Sequence, residues 1–152
     1  MESTVLAITG HRLNKLAKFG NLQQRLEEKL AELRPRLLIS GMAVGVDQIA
    51  ARVAINMGIP VWACIPCLGQ DSVWYPETKR NYRWLLDRCQ KITIVTEQPY
   101  HPRLMQIRNE FMVNNANELL AVFDGSLGGT NNCVQYALKM KMKIHYIRPL
   151  NW

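Results

Sequence analysis

The sequence predicts an α/β chain: a Rossmann-like, doubly wound and mostly parallel sheet of five to six strands with helices on both faces. Three observations carry this reading. Short β-branched runs alternate with helical apolar stripes along all 152 residues. The runs show little apolar–polar alternation, as strands covered on both faces do. Glycine closes several of them just before a helical pattern begins, the order expected of strand–helix–strand crossovers.

Val5–Thr9 is the first strand, ending in Gly10. Leu22, Leu26, Leu30 and Leu33 then repeat at helical spacing. Arg36–Ser40 reads as a second strand closed by Gly41, and Val46, Ile49, Ala50, Val53, Ala54 and Met57 as a helical stripe stopped by Gly58. Ile59–Ile65 is a third strand with Pro60 at its start, where a missing donor matters least. Pro76–Cys89 is a helix with proline in its first turn. Lys91–Thr96 is a strand, Pro102–Asn117 a helix, Glu118–Phe123 a strand, Thr130–Met140 a helix and Ile144–Ile147 a last strand. No repeat or linker interrupts the pattern, so one domain over residues 1–152 is expected.

Composition narrows the class. No apolar run reaches the roughly 18 residues that span a bilayer, and no basic segment leads an apolar stretch at the start, so a cytoplasmic protein without membrane association is expected. Four cysteines are too few for a disulfide scaffold. Cys64 and Cys67 have redox or zinc spacing but lack a second pair, so buried thiols are expected, with neither metal nor cofactor. A net charge of +7 attracts anions of any size. The basic residues are scattered, and Lys139–Lys143 reads as a solvated face.

The chemistry gathers at the carboxyl ends of the strands, where such sheets bind ligands. Asp124–Asn132 reads DGSLGGTNN, between a buried strand and a helix. Gly125, Gly128 and Gly129 allow close backbone approach, and the helix start offers free amides and a positive dipole end to an anion. Asp124, Ser126 and Thr130 belong to the same candidate phosphate loop. Ser40, Gly41, Met42, Gly45 and Asp47 repeat this grammar after the second strand, without a Walker A or GxGxxG pattern; Asp47 reads as a helix cap. Arg108 falls within the apolar arc of Leu104, Ile107, Phe111 and Met112, where it needs an anionic ligand or a carboxylate such as Glu110 or Glu118. Asn109 follows it. His11 and Arg12, after Gly10, are further phosphate or ribose contacts. Trp84 projects away from the stripe of Tyr82, Leu85, Leu86 and Cys89 and is expected at a subunit contact. Trp74 or Tyr75 is the candidate cover for a bound base.

Together these residues resemble the SLOG superfamily, the Smf/DprA and LOG group, and its YpsA-like branch in particular. The resemblance rests on Thr9–Arg12, Ser40–Asp47, Arg108–Glu110 with Met112, and Asp124–Thr130, in that order along nearly the whole chain. It implies a Rossmann-like fold, usually oligomeric, that binds nucleotides or their derivatives. LOG enzymes remove ribose 5′-phosphate from nucleoside monophosphates. Met105–Asn109 resembles their Met-x-x-Arg-Lys segment with Asn109 for Lys, and Ser126–Thr130 part of their Gly-Gly-x-Gly-Thr-x-x-Glu segment. Aligning Gly129-Thr130 puts Cys133 in place of the LOG glutamate, the carboxylate of the glycosidic chemistry.

Three functions fit this reading. The leading one is a sensor or sink that binds a nucleotide-derived small molecule of the ADP-ribose, NAD or nucleoside-phosphate kind as a homo-oligomer. The second is LOG-type phosphoribohydrolysis with Glu110 as the acid, although Glu110 lies about 160° around the helix from Arg108. The third is DprA-like binding of single-stranded nucleic acid through the Trp/Tyr/Arg helix and the positive charge.

Overall fold

The computed structural model describes residues 4–152; the first three residues of the expected 1–152 unit lie outside the described residues. Six strands form one all-parallel sheet: β1 Val5–Gly10, β2 Leu37–Ser40, β3 Val61–Ile65, β4 Lys91–Ile94, β5 Glu118–Val122 and β6 Lys143–Ile147. Their spatial order is β4-β3-β2-β1-β5-β6. Five helices connect them: α1 Leu22–Leu33, α2 Val46–Asn56, α3 Pro76–Asp87, α4 Pro102–Asn114 and α5 Gly129–Lys139. The order reverses between β1 and β5, which pair from Leu6 opposite Glu118 to Gly10 opposite Val122.

The strands lack polar alternation because each face packs on helices. Leu6 and Ile8 of β1 join Leu38, Val61, Ala63 and Leu120 in a core under α1 and α2. Val5 and Ala7 point the other way, with Ile39, Trp62, Leu119 and Ala121, onto Met112 of α4 and Val134 of α5. Burial of each large side chain contributes about 1.5–3 kcal/mol. At the sheet edge this pattern fails: Ile92 and Ile94 of β4 are exposed.

Local signals set the helix ends. The Asn21 side chain accepts the Gln24 amide at 3.2 Å and caps α1. Pro76 and Pro102 occupy the first turns of α3 and α4. Two 3-10 turns, Leu13–Lys15 and Ala17–Phe19, precede α1 and were not expected from periodicity; three residues are too few to show a period. The expected ends of α3 and α4 move inward, to Asp87 and Asn114. Ile107 is a correction: it is exposed, and the buried face of α4 is Leu104, Arg108, Asn109, Met112 and Val113. No helix among the described residues is long and apolar enough to cross a membrane.

Candidate functional site

At the carboxyl ends of β1 and β5 the chain departs to opposite faces of the sheet, which opens a crevice between the two strands. A cavity of about 430 Å³ lies there, a size suited to a small-molecule ligand.

The start of α5 forms one wall. Gly128, at φ +143°, and Gly129 have no atom within 4 Å of where a Cβ would stand. The helix carries neither a side-chain cap nor an acid in its first turn. Its leading amides and positive dipole end therefore face the cavity unoccupied. Leu127 also lines the cavity, but Asp124, Gly125 and Ser126 do not. Ser126 donates to Asp124 Oδ1 from both its amide, at 2.9 Å, and its hydroxyl, at 2.6 Å. Lys18 pairs with Asp124 Oδ2, and Lys15 donates to Ser126 Oγ at 3.2 Å. Gly125, at φ +86°, lies beneath the Trp152 ring. Burial pushes the Asp124 carboxyl up, but the Lys18 and Ser126 hydrogen bonds and the His11 charge outweigh it and hold the group well below the usual carboxylate range.

His11 bridges β1 and β5 at the switch point. Its Nε2 accepts the Asp124 amide at 3.1 Å and lies 2.9 Å from Asp124 Oδ1. Burial lowers its pKa, with Lys15 and Lys18 adding to the effect and Asp124 opposing it. Arg12 is exposed beside it on the cavity rim.

The loop after β2 has the same grammar but is closed by its own atoms. Ser40 Oγ donates to the Asp47 carbonyl at 2.8 Å and accepts the Met42 amide at 3.2 Å. Met42 is fully buried at φ +61°, and its carbonyl accepts from Gln48 at 2.9 Å. Val46 N–H donates to the His11 carbonyl at 3.2 Å. Gly45, at φ +123°, permits that approach, since a Cβ there would fall 2.5 Å from the His11 oxygen. Asp47 is not the helix cap: it is the second residue of α2, and its Oδ2 accepts the Ala43 amide at 3.3 Å. Burial raises its pKa, against the pull of Arg108, the Ala43 amide and Arg12.

Arg108 is 3% exposed. Its Nη1 donates to the Gly41 carbonyl at 2.7 Å and its Nε to Asn109 Oδ1 at 3.0 Å. Gly41 makes room for the guanidinium, which would lie 2.3 Å from a Cβ at that position. The carboxylates expected as its partner are engaged elsewhere: Glu110 accepts from Gln106 at 3.1 Å, and Glu118 lies 2.6 Å from His145. Among the described residues Arg108 makes no ion pair.

Of the expected ligand contacts, the structure places Gly10, His11 and Arg12, Asp47, Arg108 and Asn109, and Gly128, Gly129 and Thr130 in the cavity wall. Ser40, Gly41 and Met42 stand behind the wall, and Asp124, Gly125 and Ser126 form its scaffold. Gly45 faces a second hollow of about 340 Å³ beside Gln48, Arg52 and Asn81. Glu110 is outside the wall, and Cys133 is fully buried in α5 with its thiol pushed up to about 11.

The aromatic expectations need correction. Trp74 packs edge-on against Tyr82 at 5.0 Å, and Tyr75 is exposed away from the cavity. Trp84 is half-buried between the guanidinium groups of Arg52, at 4.3 Å, and Arg88, at 3.8 Å, because Arg52 reaches over from α2. The apolar wall comes instead from Tyr100, Pro102 and Met105, at the start of α4. The signal that could have found them is positional: in a parallel sheet every helix begins at the ligand edge.

With this geometry, relatives can be compared. The model of the YspA SLOG family matches residues 6–151. The SPbeta prophage-derived protein YoqJ of Bacillus subtilis is 31% identical over 130 residues, covering 75% of this chain and 76% of YoqJ. DNA processing protein A (DprA) of Streptococcus pneumoniae superposes with a TM-score of 0.69 at 18% identity; 95% of this chain is covered, but only 50% of that one. The molybdenum cofactor binding protein of Rippkaea orientalis superposes at 0.64 and 17% identity, with 97% and 78% covered. The low identities of the two structures speak for the fold alone, whereas the family match extends over almost every residue: the chain belongs to the YspA SLOG family.

Proposed function

We propose that the cavity binds a nucleotide-derived small molecule of the AMP, ADP-ribose or NAD kind, with residues 1–152 acting as one domain of a cytoplasmic sensor or sink that assembles from identical chains. The observation that carries this is the pairing of a buried cation, offset by Asp47 but in no direct ion pair among the described residues, with an open helix start. Arg108 has no ion pair among the described residues, no side chain caps the start of α5, and a Cβ at Gly128 or Gly129 would meet no atom of the described residues. A buried arginine is costly without an anion, and a bare helix start favours one. Tyr100 and Met105 offer apolar surface to a base on the same cavity. Calorimetric titration with AMP, ADP-ribose and NAD tests the reading. Saturable binding is expected; folded protein that binds none of them at millimolar concentration refutes it.

A second reading is single-stranded DNA binding. It is favoured by the +7 charge, by exposed Arg80 and Arg83 on α3 and Arg88 just after it, and by the fold shared with Helicobacter pylori DprA, whose structure concerns a single-stranded DNA binding mode. Anisotropy with an oligo-dT probe should then weaken steeply with salt. Binding indifferent to salt, or none, removes this reading.

A further inference from the structure

Among the described residues that line the cavity, Asp47 is the one acidic side chain, beside Arg12, Lys15 and Arg108. Asp47 is 7% exposed and lines the cavity with Arg108 and Asn109. Its Oδ2 is used by the Ala43 amide at 3.3 Å. Its Oδ1 has no hydrogen-bond partner among the described residues, and it is not sealed from the cavity. No ion pair among the described residues occupies the carboxylate either. Closing the loop uses one oxygen; the second is an acceptor open to the cavity.

A phosphate has no proton to give it, and the open start of α5 is the better place for an anion. An aromatic base has apolar surface at Tyr100 and Met105. The exocyclic amine of a base also donates but goes with the base, which leaves the sugar hydroxyls as the donors for Asp47. We infer that Asp47 receives the ribose hydroxyls of the ligand, making this a site for ribonucleotides over deoxyribonucleotides. This deepens the proposed nucleotide reading and rests on it. A hydroxyl both donates and accepts, so it suits Asp47 in either protonation state, although burial raises the carboxyl and Arg108 and Arg12 lower it.

The reading also divides the two glycine loops by task. The α5 loop takes charge through backbone amides. The β2–α2 loop contributes one side chain, held in place by the Ser40 and Gln48 hydrogen bonds behind it.

The test is calorimetry of the full chain with AMP, ADP-ribose and NAD, each against its 2′-deoxy and 3′-deoxy analogues. Loss of a hydrogen bond to a charged group weakens binding about ten- to hundredfold, and that is the expected preference for the ribose form. Equal affinity for ribose and deoxyribose forms overturns the assignment of Asp47 while leaving the nucleotide reading intact. Binding of none of the nucleotides overturns both. In D47N, which retains an oxygen for the Ala43 amide, the preference should shrink to about threefold or less with the melting temperature checked alongside; an undiminished preference rules Asp47 out. If D47N does not fold, equal wild-type affinity for ribose and deoxyribose forms still overturns the assignment.

Discussion

Gly45 and Gly129 are both loop glycines at helix starts, and the structure assigns them opposite consequences on substitution. At Gly45, φ is +123°, and an added Cβ would lie 2.5 Å from the His11 carbonyl oxygen and 2.8 Å from Arg12 Cα. Both neighbours are main chain, so no side chain can rotate to relieve the contact. The backbone strain costs about 1–3 kcal/mol, and overpacking about 1–3 kcal/mol more. G45A should therefore lose roughly 2–6 kcal/mol, a large share of the 5–15 kcal/mol typical of a folded domain. At about 2–4 °C per kcal/mol for a chain of this size, melting falls by roughly 5–20 °C. Gly129 is the first residue of α5, is not at positive φ, and has open space around its Cβ position. G129A should leave stability unchanged or gain up to about 1 kcal/mol by restricting the unfolded chain. Its methyl group would nevertheless intrude on the proposed anion seat and weaken AMP binding about tenfold or more. Thermal melts followed by circular dichroism, with calorimetry on the same samples, decide the matter. A G45A melt within about 2 °C of wild type, or a G129A melt more than about 5 °C lower, refutes the steric reasoning.

Four further predictions follow from buried groups. Asp124 is depressed when folded, so its contribution is present above the unfolded value of about 3.9 and fades as pH falls through the folded one. D124N should be less stable than wild type in urea at pH 7, and the gap should narrow below about pH 4; a gap constant with pH contradicts the ion pair. His11 is also lowered when folded, so the unfolded chain binds its proton first and stability declines as pH drops below about 6.5. H11Q should flatten that slope, and an unchanged slope assigns it to another group. Removing the Arg108 guanidinium in R108M leaves the buried Gly41 carbonyl without its donor and Asp47 without its compensating charge, at about 2–5 kcal/mol. Urea unfolding midpoints measure this, and a loss under about 1 kcal/mol argues against the contact. Burial raises all four thiols, Cys64 to about 12 and Cys89 and Cys133 to about 11. Ellman's reagent at pH 8 should react slowly with native protein and fully in guanidinium; rapid native reaction contradicts the burial.

Much of the molecule is legible locally. Apolar periodicity located the elements to within a few residues because helix and strand repeats are properties of short segments. Edge geometry was less legible. Ile107 completes an apolar arc on paper, yet α4 packs on the sheet through Arg108 and Asn109, and Ile107 turns to solvent. Trp84 also projects outward on a helical wheel, but an arginine on another helix covers it. The spacing of residues along one helix carries no record of what a neighbouring helix brings across.

The sequence alone determined the element order, the parallel sheet and the edge at which its glycine loops meet. It could not decide which loop stays open, since both read as strand, glycine turn and helix. Tertiary structure decided that. In the first loop, Asp47 folds back onto Ala43, and the His11 carbonyl takes the Val46 amide. In the second, Asp124 turns away toward Lys18 and His11, leaving Gly128 and Gly129 bare. His11 and Asp124 are 113 positions apart in the chain, and their contact exists only because β1 and β5 pair across the switch point. The same loop chemistry thus gives a closed turn or an open seat according to partners brought in by the fold.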